Sequence, residues 1–155
     1  MKKSFRNIQP GHGTIHYEQN TKKERADKIK EYKEAERLLR EVGGNFLILR
    51  ESRKQGISTP DISRNKTEYI EIKHPDSLVA LDTRLRQGIM QLLYEKNQIS
   101  SSSLKVLILI LGKKMRHVSD AKIRQIVNQR LKEVWKCELD LIIIRNGNKK
   151  LEIYP

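Results

Sequence analysis

One cysteine, four prolines and few aromatic residues among 155 exclude several classes of protein at the outset. A lone Cys137 permits neither an internal disulfide nor a cysteine-based zinc knuckle, and near the end of an expected helix it reads as a small buried hydrophobe. Phe, Trp and Tyr together make 5% of the chain, too little for a single-strand platform that stacks several bases. The longest apolar run, residues 106–111, has the length of a strand and falls far short of the ~18 residues a membrane-spanning helix needs. No apolar stretch follows Met1-Lys2-Lys3, so no signal peptide is visible. The expectation is a protein that stays in the cytoplasm or is carried out by something else. Internal repeats are absent too.

Positive charge is what the chain has in excess. Lys and Arg number 32 against 19 Asp and Glu, a formal net charge of +13. Such a balance points to nucleic acid or another anionic surface as partner, while the lack of a long apolar run makes a membrane the lesser expectation. The length suits one domain with a core large enough to need no covalent staples.

Residues 58–75 organise the rest. They read Ser-Thr-Pro-Asp, then a short polar segment, then Glu-Tyr-Ile-Glu-Ile-Lys-His-Pro. The alternation Tyr69-Ile70-Glu71-Ile72-Lys73 predicts a strand with Glu71 and Lys73 on one face and Ile70 and Ile72 on the other. Residues 63–67 can make a hairpin turn, which would return Asp61 to a place beside Glu71. Two carboxylates so placed repel, and each raises the other's pKa. A divalent cation removes that conflict, because Mg²⁺ is held by one or two carboxylates together with water and substrate phosphate. A lysine beside it would orient the attacking water or stabilise charge on the phosphate. The plain alternative, a solvated Glu-Lys pair on an exposed hairpin, contributes little.

In chain order, residues 1–20 hold Pro10 and two glycines and read as a flexible tail or junction, leaving 21–155 as the folded domain. His12 and His16 lie four apart in that tail, as a zinc half-site or a metal-free acid–base pair would need, but the glycines oppose a helix there. A helix is expected over 21–42, with Thr21 and Glu24 as a capping box and Ala35, Leu38, Leu39 and Val42 as its apolar stripe. Glu31 and Glu34 flank that stripe. A strand over 45–50 follows, then the Asp61 and Glu71 strands. His74 reads as a strand end. A second helix is expected from Asp76 or Ser77 to about residue 97, with Gln87 and Gln91 on one face and Arg84 and Arg86 as a basic side. Residues 104–111 read as a strand buried on both faces. Lys113, Lys114, Arg116 and His117 make a basic patch just past it, suited to the substrate backbone. A third helix begins at Ser119 and runs to about residue 136, with Lys122, Arg124, Arg130 and Lys132 on its outer face. A strand over 139–145 and a hairpin turning at Asn146-Gly147 close the chain. The fold class expected is α/β: an α-β-β-β-α-β core around a mixed sheet, with a C-terminal helix and β-hairpin added.

Asp61 after Pro60, then Glu71-Ile72-Lys73 on the next strand, behind a helix bearing a glutamate, resembles the PD-(D/E)XK nucleases of restriction-endonuclease-like fold. A nearer resemblance is to the C-terminal tRNase toxin domains of contact-dependent growth inhibition and related polymorphic toxin systems. It rests on Glu34 to Leu39 followed by Gly43, on Thr59-Pro60-Asp61-Ile62, on Glu71-Ile72-Lys73, on a helix with Gln91, and on the Ser119-Asp120 helix and the strand before the basic hairpin. The resemblance covers roughly residues 28 to 155.

The resemblance implies a phosphodiester-cleaving endonuclease using Mg²⁺, Mn²⁺ or Zn²⁺, with tRNA favoured over DNA. It implies that Asp61, Glu71 and Glu34 hold the metal, with Glu31 the fallback for Glu34. Lys73 would act at the attacking water, and Gln91 would match the glutamine on the following helix. Lys113, Lys114, Arg116 and Arg84 are then the expected nucleic-acid contacts. It further implies a secreted or delivered toxin domain, excised from a larger chain, acting in the target cell's cytoplasm and neutralised by an immunity protein. Gln91-Leu92-Leu93-Tyr94 also resembles the Gln-Leu-x-x-Tyr element of RecB-type DNA nucleases, although the tyrosine comes one residue early. A metal-dependent DNase is therefore the alternative, and a non-catalytic basic nucleic-acid-binding module is the second.

Overall fold

A computed structural model describes residue 5 and residues 8–51, 59–93, 102–133 and 139–155. The element order is β1 (Gly13–Tyr17), α1 (Lys22–Ala26), α2 (Ile29–Val42), β2 (Gly44–Ile48), β3 (Ile62–Arg64), β4 (Glu68–Lys73), α3 (Leu78–Leu93), β5 (Leu104–Ile110), a 3₁₀ turn (Lys113–Met115), α4 (Asp120–Glu133), β6 (Leu141–Asn146) and β7 (Lys149–Ile153). Seven strands form one mixed sheet in chain order. β1 and β2 are parallel, β2, β3 and β4 run antiparallel, β4, β5 and β6 are parallel, and β7 turns back on β6. From α2 to β5 the expected α-β-β-β-α-β succession is present, followed by α4 and the β6–β7 hairpin. The fold is α/β.

Alternation along the strands divides two cores. One face carries Phe46, Ile48, Ile62, Ile70, Ile72, Val106 and Ile108, which pack on Ala35 and Leu38 of α2. The other carries Leu107, Leu109, Ile142 and Ile144, covered by Leu81, Leu85, Ile89 and Leu92 of α3 and by Ile123 and Val127 of α4. β5 contributes to both, which is why its sequence is apolar almost without interruption. Gly88 lets α3 settle on β5, because a Cβ there would lie 2.4 Å from Leu107. Ser77 and Ser119 cap α3 and α4, their hydroxyls accepting from the amides of Ala80 (3.0 Å) and Lys122 (3.2 Å).

Two expectations change. Residues 1–20, expected as a tail, supply edge strand β1, whose register on β2 runs from Gly13↔Gly44 to Tyr17↔Ile48. The short alternation of residues 14–17 is a strand signal that Pro10, Gly11 and Gly13 concealed. Ile15 and Tyr17 pack towards α2, and the Tyr17 ring stacks on Tyr32 at 5.2 Å. Phe5 is buried in the same core. The helix expected over 21–42 is two helices, broken at Asp27 and Lys28. The Thr21 cap forms, its hydroxyl accepting from Glu24 N at 3.1 Å, but α1 buries none of its residues and α2 alone carries the packing face. The expected ends of the second helix near residue 97 and of the third near residue 136, with Tyr94 and Cys137, lie outside the described residues.

Arg64 ties the sheet to the end of α2. It is fully buried, donates to Gly43 O (2.8 Å) and Val42 O (3.2 Å), and pairs with Glu68 at 2.5 Å across the β3–β4 turn. Its guanidinium lies over the rings of Phe5 (5.3 Å) and Phe46 (6.0 Å). Gly44, at φ 117°, is required beneath it, since a Cβ would approach Arg64 Nε to 2.6 Å. Arg64→Met strands a buried carboxylate and two carbonyls, and should cost about 3–5 kcal/mol in urea unfolding. Lys66→Ala, at the exposed tip of the same turn, should stay within about 0.5 kcal/mol of the parent.

Candidate active site

The β3–β4 pairing fixes the central constellation. Ile62 pairs with Ile70, so Asp61, one residue earlier, lies across from Glu71 at the end of the ladder. Asp61 N donates to Ile70 O at 3.1 Å, and Asp61 Oδ2 accepts from Ile72 N at 2.8 Å. These two bonds hold the Asp61 carboxylate against β4. Lys73, two residues on from Glu71, places Nζ 3.5 Å from Glu71 Oε1. The turn that sets this register is residues 65–67, in which Asn65 (φ 51°) and Lys66 (φ 63°) take left-handed backbone. Asp61, Glu71 and Lys73 are brought together as expected.

The carboxylates are in conflict. Glu71 is 2% exposed. Burial, then the charge and hydrogen bond of Asp61, push its carboxyl up to about 9, against the pull of Lys73. Its Oε2 is buried with no hydrogen-bond partner among the described residues. Glu31, on the first turn of α2, is raised by burial and then by Asp61, and its Oε2 is likewise buried without a partner. Glu31 is thus the acid of α2 that senses Asp61.

Glu34 is not at this site. Its Oε1 accepts from Arg145 Nε at 2.5 Å, and the same guanidinium pairs with Glu41 at 2.6 Å. Burial raises the Glu34 pKa, with Arg145 opposing it. Most of a helical turn separates Glu34 from Glu31, and that step carries it to β6. Sequence spacing defines the pair of glutamates but not which one faces the carboxylates. His12 and His16 are exposed at the edge strand, and four residues of extended chain span roughly 13 Å, too far to share a metal or a scissile phosphate.

Beside Lys73 opens a cavity of about 650 Å³ whose lining includes Arg86, Gln87, Met90 and Gln91 of α3 and Arg130 of α4. Lys73 and Gln91 therefore share one concavity, while Asp61 and Glu71 lie just outside its lining. Arg130, expected on an outer solvated face, instead donates two bonds to Asp82, at 2.8 and 2.5 Å, and a third to Glu133 at 2.8 Å. Asp82 and Arg130 stand 48 positions apart, so no local pattern announces their pairing. Lys113 and Lys114 lie in the exposed 3₁₀ turn after β5, tied to the segment beyond Lys73 by Gly112 N to Pro75 O at 2.9 Å. Arg116 is exposed next to that turn, and Arg84 is exposed on α3, donating to Gln87 at 2.9 Å. None of these four lines the cavity.

Among the described residues no group of three or more His, Cys, Asp or Glu is gathered as a metal cluster. Two carboxylates with buried, unsatisfied oxygen nonetheless fit a hard divalent ion, which takes one or two such groups and fills its remaining positions with water. Oxygen-only donors favour Mg²⁺ or Mn²⁺ over Zn²⁺. Comparison with known proteins finds no matching family model, no matching curated protein and no matching solved structure.

The Glu71 shift has a definite pH consequence. Its folded value lies near 9 against an ordinary 4.5, so the fold retains a proton that the unfolded chain releases. That contribution is fully present below 4.5 and is lost as pH rises towards 9. In EDTA, the stability of the protein should therefore fall across this window more steeply than that of Glu71→Gln, as read by urea midpoints. Identical pH slopes for the two proteins would contradict the assigned protonation.

Proposed function

We propose that this protein is a divalent-metal-dependent endonuclease that hydrolyses phosphodiester bonds in RNA, with tRNA favoured. The observation that supports it most is a pair of facing carboxylates, Asp61 and Glu71, one of them buried and driven to hold a proton, with the Lys73 ammonium beside them. A structural ion pair needs only one carboxylate per cation, and the second here is destabilised unless something more positive is bound. Mg²⁺ or Mn²⁺ on Asp61 and Glu71, with Glu31 reaching in from α2, would supply Lewis acidity and a water of lowered pKa.

The chain's own groups have separate tasks. The backbone amide of Ile72 holds Asp61 in place. Glu71 would hold the ion as a carboxylate, releasing to solvent the proton that burial now keeps on it. Lys73, part-buried and bonded only weakly at 3.5 Å, can turn from Glu71 to the attacking water or to the phosphate, and hold charge there as it builds. Gln91 lines the same cavity as Lys73. The formal charge of +13 draws polyanions to the surface.

The preference for tRNA, the role as a delivered toxin domain acting in a target cell's cytoplasm, and an immunity protein as antagonist rest on the resemblance to the PD-(D/E)XK toxin domains. An acidic antagonist would complement this surface charge.

The test incubates the protein with Mg²⁺ and, in parallel, total tRNA, ribosomal RNA and plasmid DNA. Discrete tRNA fragments are expected, abolished by EDTA and by Asp61→Ala, and reduced about 10²–10³-fold by Lys73→Ala. Salt-sensitive binding should survive Asp61→Ala, because removing an anion does not weaken attraction for phosphate. Cleaved plasmid beside intact tRNA would instead make the enzyme a DNase. Full activity in Asp61→Ala would remove the metal site altogether.

A further inference from the structure

The cavity beside Lys73 has features that cleavage alone does not use. Its volume of about 650 Å³ falls within the range of 300–1,000 Å³ in which small-molecule sites lie. Its lining carries three cations, Lys73, Arg86 and Arg130, against the single carboxylate of Asp82. Asp82 and Glu133 already engage Arg130, making it a fixed wall, and its bidentate bond to Asp82 joins α4 to α3. Arg86 makes no ion pair within 4 Å among the described residues; it feels the Asp82 carboxylate only at longer range and has donors left for a further anion. Gln87 uses its carbonyl oxygen to accept from Arg84, which leaves its amide N–H groups aimed elsewhere. Met90 is 57% exposed at the same wall, a polarizable apolar side chain on an otherwise polar stretch of α3.

Cation, amide and apolar contact in one recess beside a phosphodiester-cleaving site are the needs of one nucleotide: a phosphate, a base edge and a base face. A base paired within a helix shows the protein only its edge and cannot enter such a recess, whereas an unpaired one can be splayed out and held on face and edge together. We propose that this cavity binds a single unpaired nucleotide of the substrate strand, with its phosphate on Arg86, its base against Met90 and its edge on Gln87. The enzyme is thereby directed to loops, bulges or single strands and away from continuous duplex. The inference rests on the nuclease reading for its neighbour, the scissile phosphate, but not for its test.

Binding is measured in EDTA, where no cleavage occurs, between the full chain and two fluorescent RNAs of equal length and charge. One is a hairpin with an unpaired loop and the other is fully paired. The protein should prefer the looped RNA by at least about 10-fold, the scale of one good base contact. Arg86→Ala with Gln87→Ala should bring the two affinities together, and Arg86→Lys should restore part of the difference. Arg124→Ala, an exposed cation on α4 outside the cavity lining, should leave the preference intact. Equal affinity of the parent for both RNAs overturns the proposal, as does an equal loss on both RNAs in the double variant. All three substituted side chains are exposed, so folding is checked by an unchanged urea midpoint. Since no divalent ion is present, loss of the loop preference removes the pocket alone. Absence of cleavage of tRNA, ribosomal RNA and plasmid DNA by the parent protein in Mg²⁺ removes the nuclease reading and leaves the preference standing.

Discussion

Slip the pairing of β3 with β4 by one residue, and Glu71 and Lys73 turn to the face packed on α2, while Ile70 and Ile72 turn towards α3. Strand side chains alternate without exception, so this register alone decides whether two carboxylates meet or a buried core is broken. Several features pin it. The turn at residues 65–67 takes left-handed backbone at Asn65 and Lys66, Arg64 clasps Glu68 across its ends, and Asn65 Oδ1 accepts from Asn45 N at 2.9 Å. Asp61 then closes the other end of the ladder through Ile72 N. The candidate site is therefore a product of hairpin geometry, with the helices supplying burial and one further acid.

Three buried ionic groupings among the described residues differ in a way that separates structure from chemistry. Arg64 satisfies Glu68 and two carbonyls, and Arg145 satisfies Glu34 and Glu41. In both, one cation is surrounded by the anions and carbonyl oxygens that neutralise it. Asp61 and Glu71 invert that arrangement: two acids face one another, Lys73 stands at 3.5 Å, and one carboxyl oxygen has no partner among the described residues. In the first two groupings every carboxylate has a cation beside it as the fold stands. The third is at rest only when Glu71 is protonated or when a further positive charge enters. That difference is the physical basis for proposing a metal site there, and it explains why the buried Glu34, though conspicuous in sequence, belongs to the scaffold.

Much of this is legible in the sequence itself. The alternation over residues 69–73 and the turn before it placed Asp61 against Glu71, and the unbroken apolar run of β5 marked an interior strand. The Ser77 and Ser119 caps marked helix starts. What escaped the sequence shared one cause, dependence on partners far away in the chain. β1 is too short and too flanked by glycine to stand out until β2 pairs with it. Glu31 and Glu34 sit equally well beside the stripe of α2, and only Arg145, more than a hundred residues on, claims one of them. Arg130 reads as solvated until Asp82 arrives from α3. The recess beside Lys73 exists only once α3, α4 and β4 are assembled.

The central claim is that the Asp61–Glu71 pair awaits a divalent ion, and calorimetric titration of Mn²⁺ into metal-free protein at neutral pH, in buffers of different ionisation enthalpy, tests it most directly. Glu71 carries a proton that the ion must displace, so the account predicts saturable binding with release of about one proton per ion, both lost in Asp61→Ala. Binding without proton release, or no binding by the parent protein, would contradict it.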